Sequence, residues 1–409
     1  VTPLLDGRDV AARDADLKRR VHLRLLSEVG RDEGSAPSEP SGPGLRRVLS
    51  ELLHAEEPLL TRVRHDALLA ELVDEVAGLG PLQPLFTDPR VTEVMVNGTN
   101  RVYVERAGRI ERVPIRLDAT ATLRLVERII GPLGLRLDRS SPIVDARLSD
   151  GSRVHAIVPP LAIDGPCVTI RRFVACGVDL DAFGVGAGPA AFLRWAVEHG
   201  ANLVVSGGTS AGKTTLCNAL AAFVPQDARV VTIEETAELR LPLPHVVRLE
   251  ARMPNAEGVG GVSVRALVRA ALRMRPDRLI VGEVRGGEAF DLLQALNTGH
   301  DGSLTTVHAN GTGAAVDRLT ALVLMAGVGM PAEAAYLQIA DAIDYVVHVV
   351  RRDGLRRIQS IGEVRRVGTA VRVEPLFEWS SGRLKGCSVP RRPPRRPDSS
   401  APDPEWFSC

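Results

Sequence analysis

Leu203-Val204-Val205-Ser206-Gly207-Gly208-Thr209-Ser210-Ala211-Gly212-Lys213-Thr214 decides the fold. An apolar run of strand type leads into residues 207–214, which have the form G-x-x-x-x-G-K-[ST], and a helical pattern follows from Thr214. A loop of small residues wraps phosphate oxygens with its backbone N–H groups. A lysine ammonium then reaches the β- and γ-phosphates, and a hydroxyl holds Mg²⁺. The helix N-terminus behind the loop adds positive dipole potential. Composition sharpens the reading. Lysines and arginines together number 51, and only Lys18, Lys213 and Lys385 are lysine. Arginine's planar fork is a poor substitute for a compact ammonium, and the loop carries a lysine. Gly207, Gly208, Thr209, Ser210, Ala211, Gly212, Lys213, Thr214 and Thr215 are therefore the expected nucleotide-binding residues, with Thr214 as the Mg²⁺ hydroxyl.

Outward from the loop the chain alternates. Residues 230–233, 246–249, 279–281 and 303–307 read as strands, and 263–275, 287–298, 312–326 and 331–342 as helices. That order predicts an α/β sheet covered on both faces, with strands at 344–350 and 355–364 closing it. Two strands end in acids, Val231-Thr232-Ile233-Glu234-Glu235 and Leu279-Ile280-Val281-Gly282-Glu283. The second has the Walker-B form with Glu in place of Asp. In such a crevice one carboxylate holds water bound to Mg²⁺ while the other orients the attacking water. His300 and His308 bracket a further strand. No third or fourth ligand has zinc spacing, so the pair reads as polar groups near the γ-phosphate, against the ordinary role of a lone histidine as a structural hydrogen-bonder.

The remainder divides by composition. Residues 1–44 read as a charged helix and a flexible linker (30–44), 45–80 as one helical segment, 81–175 as a small α+β domain, and 176–189 as a glycine-rich hinge. Residues 190–365 read as the α/β domain that carries the phosphate loop, and 366–409 as a terminal strand and a disordered, basic, proline-rich tail. Arg153 and Arg171 fall on adjacent strands of the small domain and are candidates to reach phosphate when that domain closes. The 409 residues are 44% apolar and 25% charged, with a net charge of +1 and only 3% aromatic residues. Neither a basic field nor stacking aromatics argues for nucleic acid, so no direct nucleic-acid binding is expected. Five cysteines with no C-x-x-C pair argue against a disulfide framework. The absence of an 18-residue apolar run or a signal core points to a cytoplasmic protein.

These motifs resemble one family, the CpaF-like secretion ATPases of tight-adherence (Flp) pili in the type II/type IV secretion superfamily. The resemblance spans about residues 70–365. It rests on Gly80-Pro81-Leu82, Val94-Met95-Val96-Asn97-Gly98, Asp150-Gly151-Ser152-Arg153-Val154, Arg273-Met274-Arg275-Pro276-Asp277-Arg278, Val281-Gly282-Glu283-Val284-Arg285-Gly286, Asn297-Thr298-Gly299-His300-Asp301-Gly302 and His308-Ala309-Asn310. It implies a RecA-like motor behind a smaller domain, assembled as a homo-hexamer that hydrolyses ATP with Mg²⁺. Such an assembly sits at the inner face of the cytoplasmic membrane on pilus or secretion platform proteins. By position Glu234 is the catalytic glutamate, Glu283 the Walker-B acid, His300 and His308 the histidine box, and Arg153 and Arg171 the phosphate-contacting arginines. The same motor in a type IV secretion channel, and a non-hydrolysing nucleotide-dependent scaffold, are the rival readings. Members usually have Glu-Asp where this chain has Glu234-Glu235. Ser210-Ala211 stands where they often have Gly-Ser, which leaves the loop able to close provided position 210 needs no positive φ.

Overall fold

The computed structural model describes residues 7–29, 43–106, 108–148, 150–172, 179–254, 258–352, 354–368, 370–396 and 400–408. It divides into two units, Val1–Arg172 and Phe173–Cys409. Most of the expected linker at 30–44, and 176–178 of the expected hinge, lie outside the described residues.

In the first unit, α1 (Gly7–Val29), α2 (Pro43–Glu56) and α3 (Arg62–Ala77) share a core of Leu17, Val21, Leu49, Leu53, Leu69 and Leu72. The single helical segment expected over 45–80 is broken in two. Pro58 lacks an amide hydrogen and biases Glu57 away from helix, so the chain turns there before α3. After the short α4 (Gln83–Thr87) come β1 (Val91–Asn97), β2 (Val102–Arg106), β3 (Arg109–Val113), α5 (Ala119–Ile130), β4 (Ile143–Arg147), β5 (Arg153–Ile157) and β6 (Cys167–Arg171). The strands form one antiparallel sheet in the order β3-β2-β1-β6-β5-β4. Asp118 caps α5 by accepting from the Ala121 amide at 2.7 Å. The helix then buries Leu125, Val126 and Ile130 with Val94, Val96 and Ile170 of the sheet.

The second unit runs α6 (Ala187–Glu198), β7 (Leu203–Gly207), α7 (Lys213–Ala221), β8 (Val230–Glu234), β9 (Val246–Glu250), α8 (Val264–Ala271), β10 (Arg278–Val281), α9 (Glu288–Leu296), β11 (Leu304–Val307), α10 (Thr312–Met325), α11 (Ala332–Ala342), β12 (Tyr345–Arg352), β13 (Leu355–Val367), β14 (Ala370–Ser380) and β15 (Arg383–Gly386). Its nine strands lie in the order β15-β14-β13-β12-β7-β11-β10-β8-β9. The stretch from β12 to β9 is parallel and β13–β15 add an antiparallel extension. This is a RecA-like sheet. Successive strand residues alternate between two cores: Leu203, Val205, Val230 and Ile280 point to one face, Val204, Val231, Leu279 and Val281 to the other. Both faces are covered, which is why these strands read as unbroken apolar runs. Because the strands are parallel, every loop leaving a C-terminal strand end emerges along one edge.

Two expectations at the ends of this unit are corrected. Leu180, Phe183 and Val185 are buried in its core, so residues 179–189 belong to the motor unit and not to a hinge. The described residues of the tail are not a disordered extension either. Arg395 donates to the buried Asp344 at 2.6 Å and to Asp301 at 2.9 Å, and Arg392 lies 3.0 Å from Asp344. The indole N–H of Trp195 donates to Ser400 O at 3.0 Å. Phe407 stacks on Phe377 (4.9 Å between ring centres) and meets Phe192 edge-on (5.4 Å). A Cβ at Gly386 would stand 2.0 Å from Phe407 O, and one at Gly188 2.4 Å from Trp406 O, so both positions need glycine for the tail to dock. Basic and proline-rich composition signals a solvated tail only where no buried acid awaits it. Replacing Phe407 with alanine is expected to destabilise this unit by about 3–5 kcal/mol, seen as a lower urea midpoint.

Candidate nucleotide site

The phosphate loop connects the last residue of β7 to the first of α7. Gly212 sits at φ +101° and Ser210 at φ +55°. The proviso on position 210 therefore fails: a serine occupies a left-handed conformation that costs roughly 1–2 kcal/mol for a residue with a Cβ. Glycine would remove that cost while losing roughly 0.5–1 kcal/mol of its own to chain entropy. Ser210→Gly is thus expected to raise the thermal midpoint by about 2 °C without loss of nucleotide binding, checked by melting and titration of the same preparation.

Lys213 is buried, and its ammonium donates to the carbonyls of Gly207 (3.2 Å) and Gly208 (3.0 Å). It also lies 3.1 Å from His308 Nε2. From there a chain of alternating groups crosses the C-terminal edge of the sheet. His308 Nε2 is 3.0 Å from Glu283 Oε1, Arg285 Nη2 donates to Glu283 Oε2 at 2.9 Å, and Arg285 Nη1 donates to Glu235 Oε2 at 2.8 Å. Burial holds His308 below the ordinary imidazole value, with Lys213 and Arg285 adding to it and Glu283 opposing. Despite the proximity of His308, the buried Glu283 Oε1 is aligned to accept no hydrogen bond.

That orphaned oxygen is what a metal-bound water would donate to. With the Thr214 hydroxyl at the start of α7, the residues fit a Mg²⁺ ion that keeps most of its waters. Among the described residues no group of three or more acids, histidines and cysteines forms a direct metal cage.

Glu234 ends β8, which pairs with β10 so that Ile233 lies opposite Val281. Its side chain packs against Gly282, where an added Cβ would stand 2.7 Å from Glu234 Cγ. Oε1 accepts from the amides of Glu238 (2.9 Å) and Leu239 (3.0 Å). Burial outweighs those two donors and pushes the carboxyl up to about 7. Glu234 is thus a fixed acid whose carboxyl is raised toward the range in which a general base works. Glu235 is exposed and accepts from Arg285.

The structure does not bring His300 into this cluster, which corrects the expectation of two histidines near one phosphate. The parallel strand β11 lies between His300 and His308, and its four residues span roughly 13 Å. His300 is left at the opposite edge, its Nδ1 3.0 Å from Ala295 O. Arg153 and Arg171 lie directly opposite one another on β5 and β6 of the first unit, in a row with Arg147 and Glu93. Sequence reasoning did not single out Arg285, which joins the two acids, nor His348, whose Nδ1 is 3.0 Å from Ser206 Oγ under the loop. Nor did it single out Arg356, considered below. Arginine is so abundant here that its presence in the sequence carries no signal.

Comparison with known proteins gives the family. The family model described as "Type II/IV secretion system protein" matches residues 75–382. A Mycobacterium tuberculosis protein assigned by name to conjugal transfer is 40% identical over 329 residues, covering 78% of this chain and 92% of that one. The type IV secretion system protein PtlH of Bordetella pertussis is 36% identical over 312 residues, covering 68% and 90%. The X-ray structure of the Legionella pneumophila ATPase DotB has a TM-score of 0.50 at 19% identity, covering 68% of this chain and 81% of that one, and supports the fold alone. No described helix is long and apolar enough to cross a membrane. With the match covering most of its length and two relatives above 30% identity aligned over most of theirs, the chain belongs to the type II/IV secretion system protein family.

Proposed function

We propose that this protein is a Mg²⁺-dependent ATPase, assembled as a homo-hexamer, that powers a secretion or pilus apparatus at the cytoplasmic face of the inner membrane. The observation that carries the reading is the convergence of Lys213, His308, Glu283 and Glu234 at the strand ends around one phosphate loop. Lys213 neutralises phosphate charge. Glu234 takes a proton from the attacking water as its oxygen bonds to the γ-phosphorus and the bond to the ADP oxygen breaks. Thr214 and Glu283 are the residues that would hold a Mg²⁺ ion, which would supply charge neutralisation on the β- and γ-phosphates. His308, between Lys213 and Glu283, is the polar side chain that links the γ-phosphate side of the loop to the Walker-B acid. Arg153 and Arg171 are assigned to anion contact. The test is ATP hydrolysis measured alongside oligomer mass: phosphate release by a hexamer supports the reading, and nucleotide binding without release at any mass replaces it with a scaffold.

The apparatus has two readings. The motif combinations favour a tight-adherence pilus, while the names of PtlH and of the mycobacterial relative favour a type IV secretion or conjugation channel. Membrane proteins retained by the tagged hexamer decide between them, a pilin platform protein or a channel component.

A further inference from the structure

The strand carrying the phosphate loop has two flanks. On one side β11 and β10 deliver His308 and Glu283. On the other, β12 pairs with β7 so that Val349 lies opposite Gly207. The hairpin between β12 and β13 therefore continues past the start of the loop, and it is rich in arginine (Arg351, Arg352, Arg356, Arg357). Arg357 lies over the Trp379 ring at 5.0 Å. Arg356 instead turns to the loop and to the first turn of α7 behind it. Its stem crosses Gly212, where an added Cβ would stand 2.7 Å from Cδ and 3.2 Å from Nε. Its Nη1 donates to the hydroxyl of Thr215 at 3.3 Å. Gly212 is thus required twice, by its positive φ and by this side chain.

A threonine hydroxyl that accepts from a guanidinium keeps its own proton for another acceptor. Thr215 is in the first turn of α7, where the loop amides cradle the α- and β-phosphates. The γ-phosphate side is served by Lys213 of the loop and, from the opposite flank, by His308. We propose that Arg356 is a positioning residue for the diphosphate shared by ATP and ADP, acting through the Thr215 hydroxyl and by its own charge. The inference rests on the ATPase reading above. The two flanks of β7 then divide the work: one holds the nucleotide and the other carries the reacting phosphate.

The experiment is titration of the full-length protein with fluorescent ADP and ATP analogues, together with steady-state hydrolysis, for the wild type, Arg356→Ala, Arg356→Lys, Thr215→Ala and the double variant Arg356→Ala/Thr215→Ala. Arg356→Ala is expected to weaken ADP and ATP equally, by about tenfold, the scale of one hydrogen bond to a charged group. KM should rise with kcat within about twofold, the mark of binding lost equally in ground and transition states. Arg356→Lys keeps the stem over Gly212 and the charge, and should recover part of the affinity; it also reports if the alanine variant does not fold. Thr215→Ala should cost less in the Arg356→Ala background than in the wild type, because the two act as one contact. Unchanged affinity in Arg356→Ala, loss for ATP alone, or strictly additive effects of the two substitutions each overturn the proposal. If the wild type itself binds neither nucleotide, the ATPase reading fails first; if it binds and Arg356→Ala matches it, only this inference fails.

Discussion

Glu234→Gln lowers ATP turnover by roughly 10²–10⁴-fold, the usual contribution of a positioned base, while nucleotide affinity stays within a few-fold of the wild type. Glutamine keeps an oxygen for the Glu238 and Leu239 amides, so the turn they form is held, but the basic lone pair is gone. The wild-type pH profile carries a second signature. Since burial pushes the carboxyl up to about 7, turnover should climb as pH rises through that value and then level off. Stability moves the opposite way. The folded state keeps a proton that the unfolded chain releases, so the contribution is complete below about pH 4.5 and is lost as pH rises through about 7, on the order of 3 kcal/mol in all. The glutamine variant lacks that decline. Urea unfolding at pH 5 and pH 8 for both proteins checks it. If Glu234→Gln retains turnover and only Glu234→Ala is damaged, Glu234 is an anchor for the 238–239 turn and another group activates water.

Lys213→Ala is expected to reduce turnover by roughly 10²–10³-fold, the scale of losing one preorganised charge from a transition state. ATP affinity should fall more than ADP affinity, because the ammonium reaches the β- and γ-phosphates. Lys213→Arg should not restore activity. The position is buried between the Gly207 and Gly208 carbonyls and the His308 ring, which leaves a compact ammonium room that a planar fork does not fit. Phosphate release by the two variants under wild-type conditions checks this, and wild-type turnover by either one removes Lys213 from the mechanism. The arginine result would also explain why a chain so poor in lysine places one here.

Local pattern was enough for several features. The loop motif, the unbroken apolar strands around it, and the acids at residues 234 and 283 were legible because each is written within a few consecutive residues. A parallel sheet covered on both faces must also read as such runs. Helix breaking at Pro58 was equally local, and the expected continuous segment over 45–80 overlooked it. The role of position 210 was open from sequence because serine tolerates several backbone conformations, and only the closed loop forces it to φ +55°.

What the amino-acid order by itself determined is the α/β unit: a phosphate loop after a buried strand, acids at two later strand ends, and hence the edge to which the proposed nucleotide chemistry is assigned. Tertiary structure alone decided which distant residues share that edge. It separated His300 from His308 by the length of β11 and brought Arg285 between two acids. It also laid Arg356 across Gly212 and folded the C-terminal residues onto Asp344 and Phe377. The physical reason is that strand order and direction are settled by long-range pairing, whereas sequence spacing reports only on neighbours along the chain.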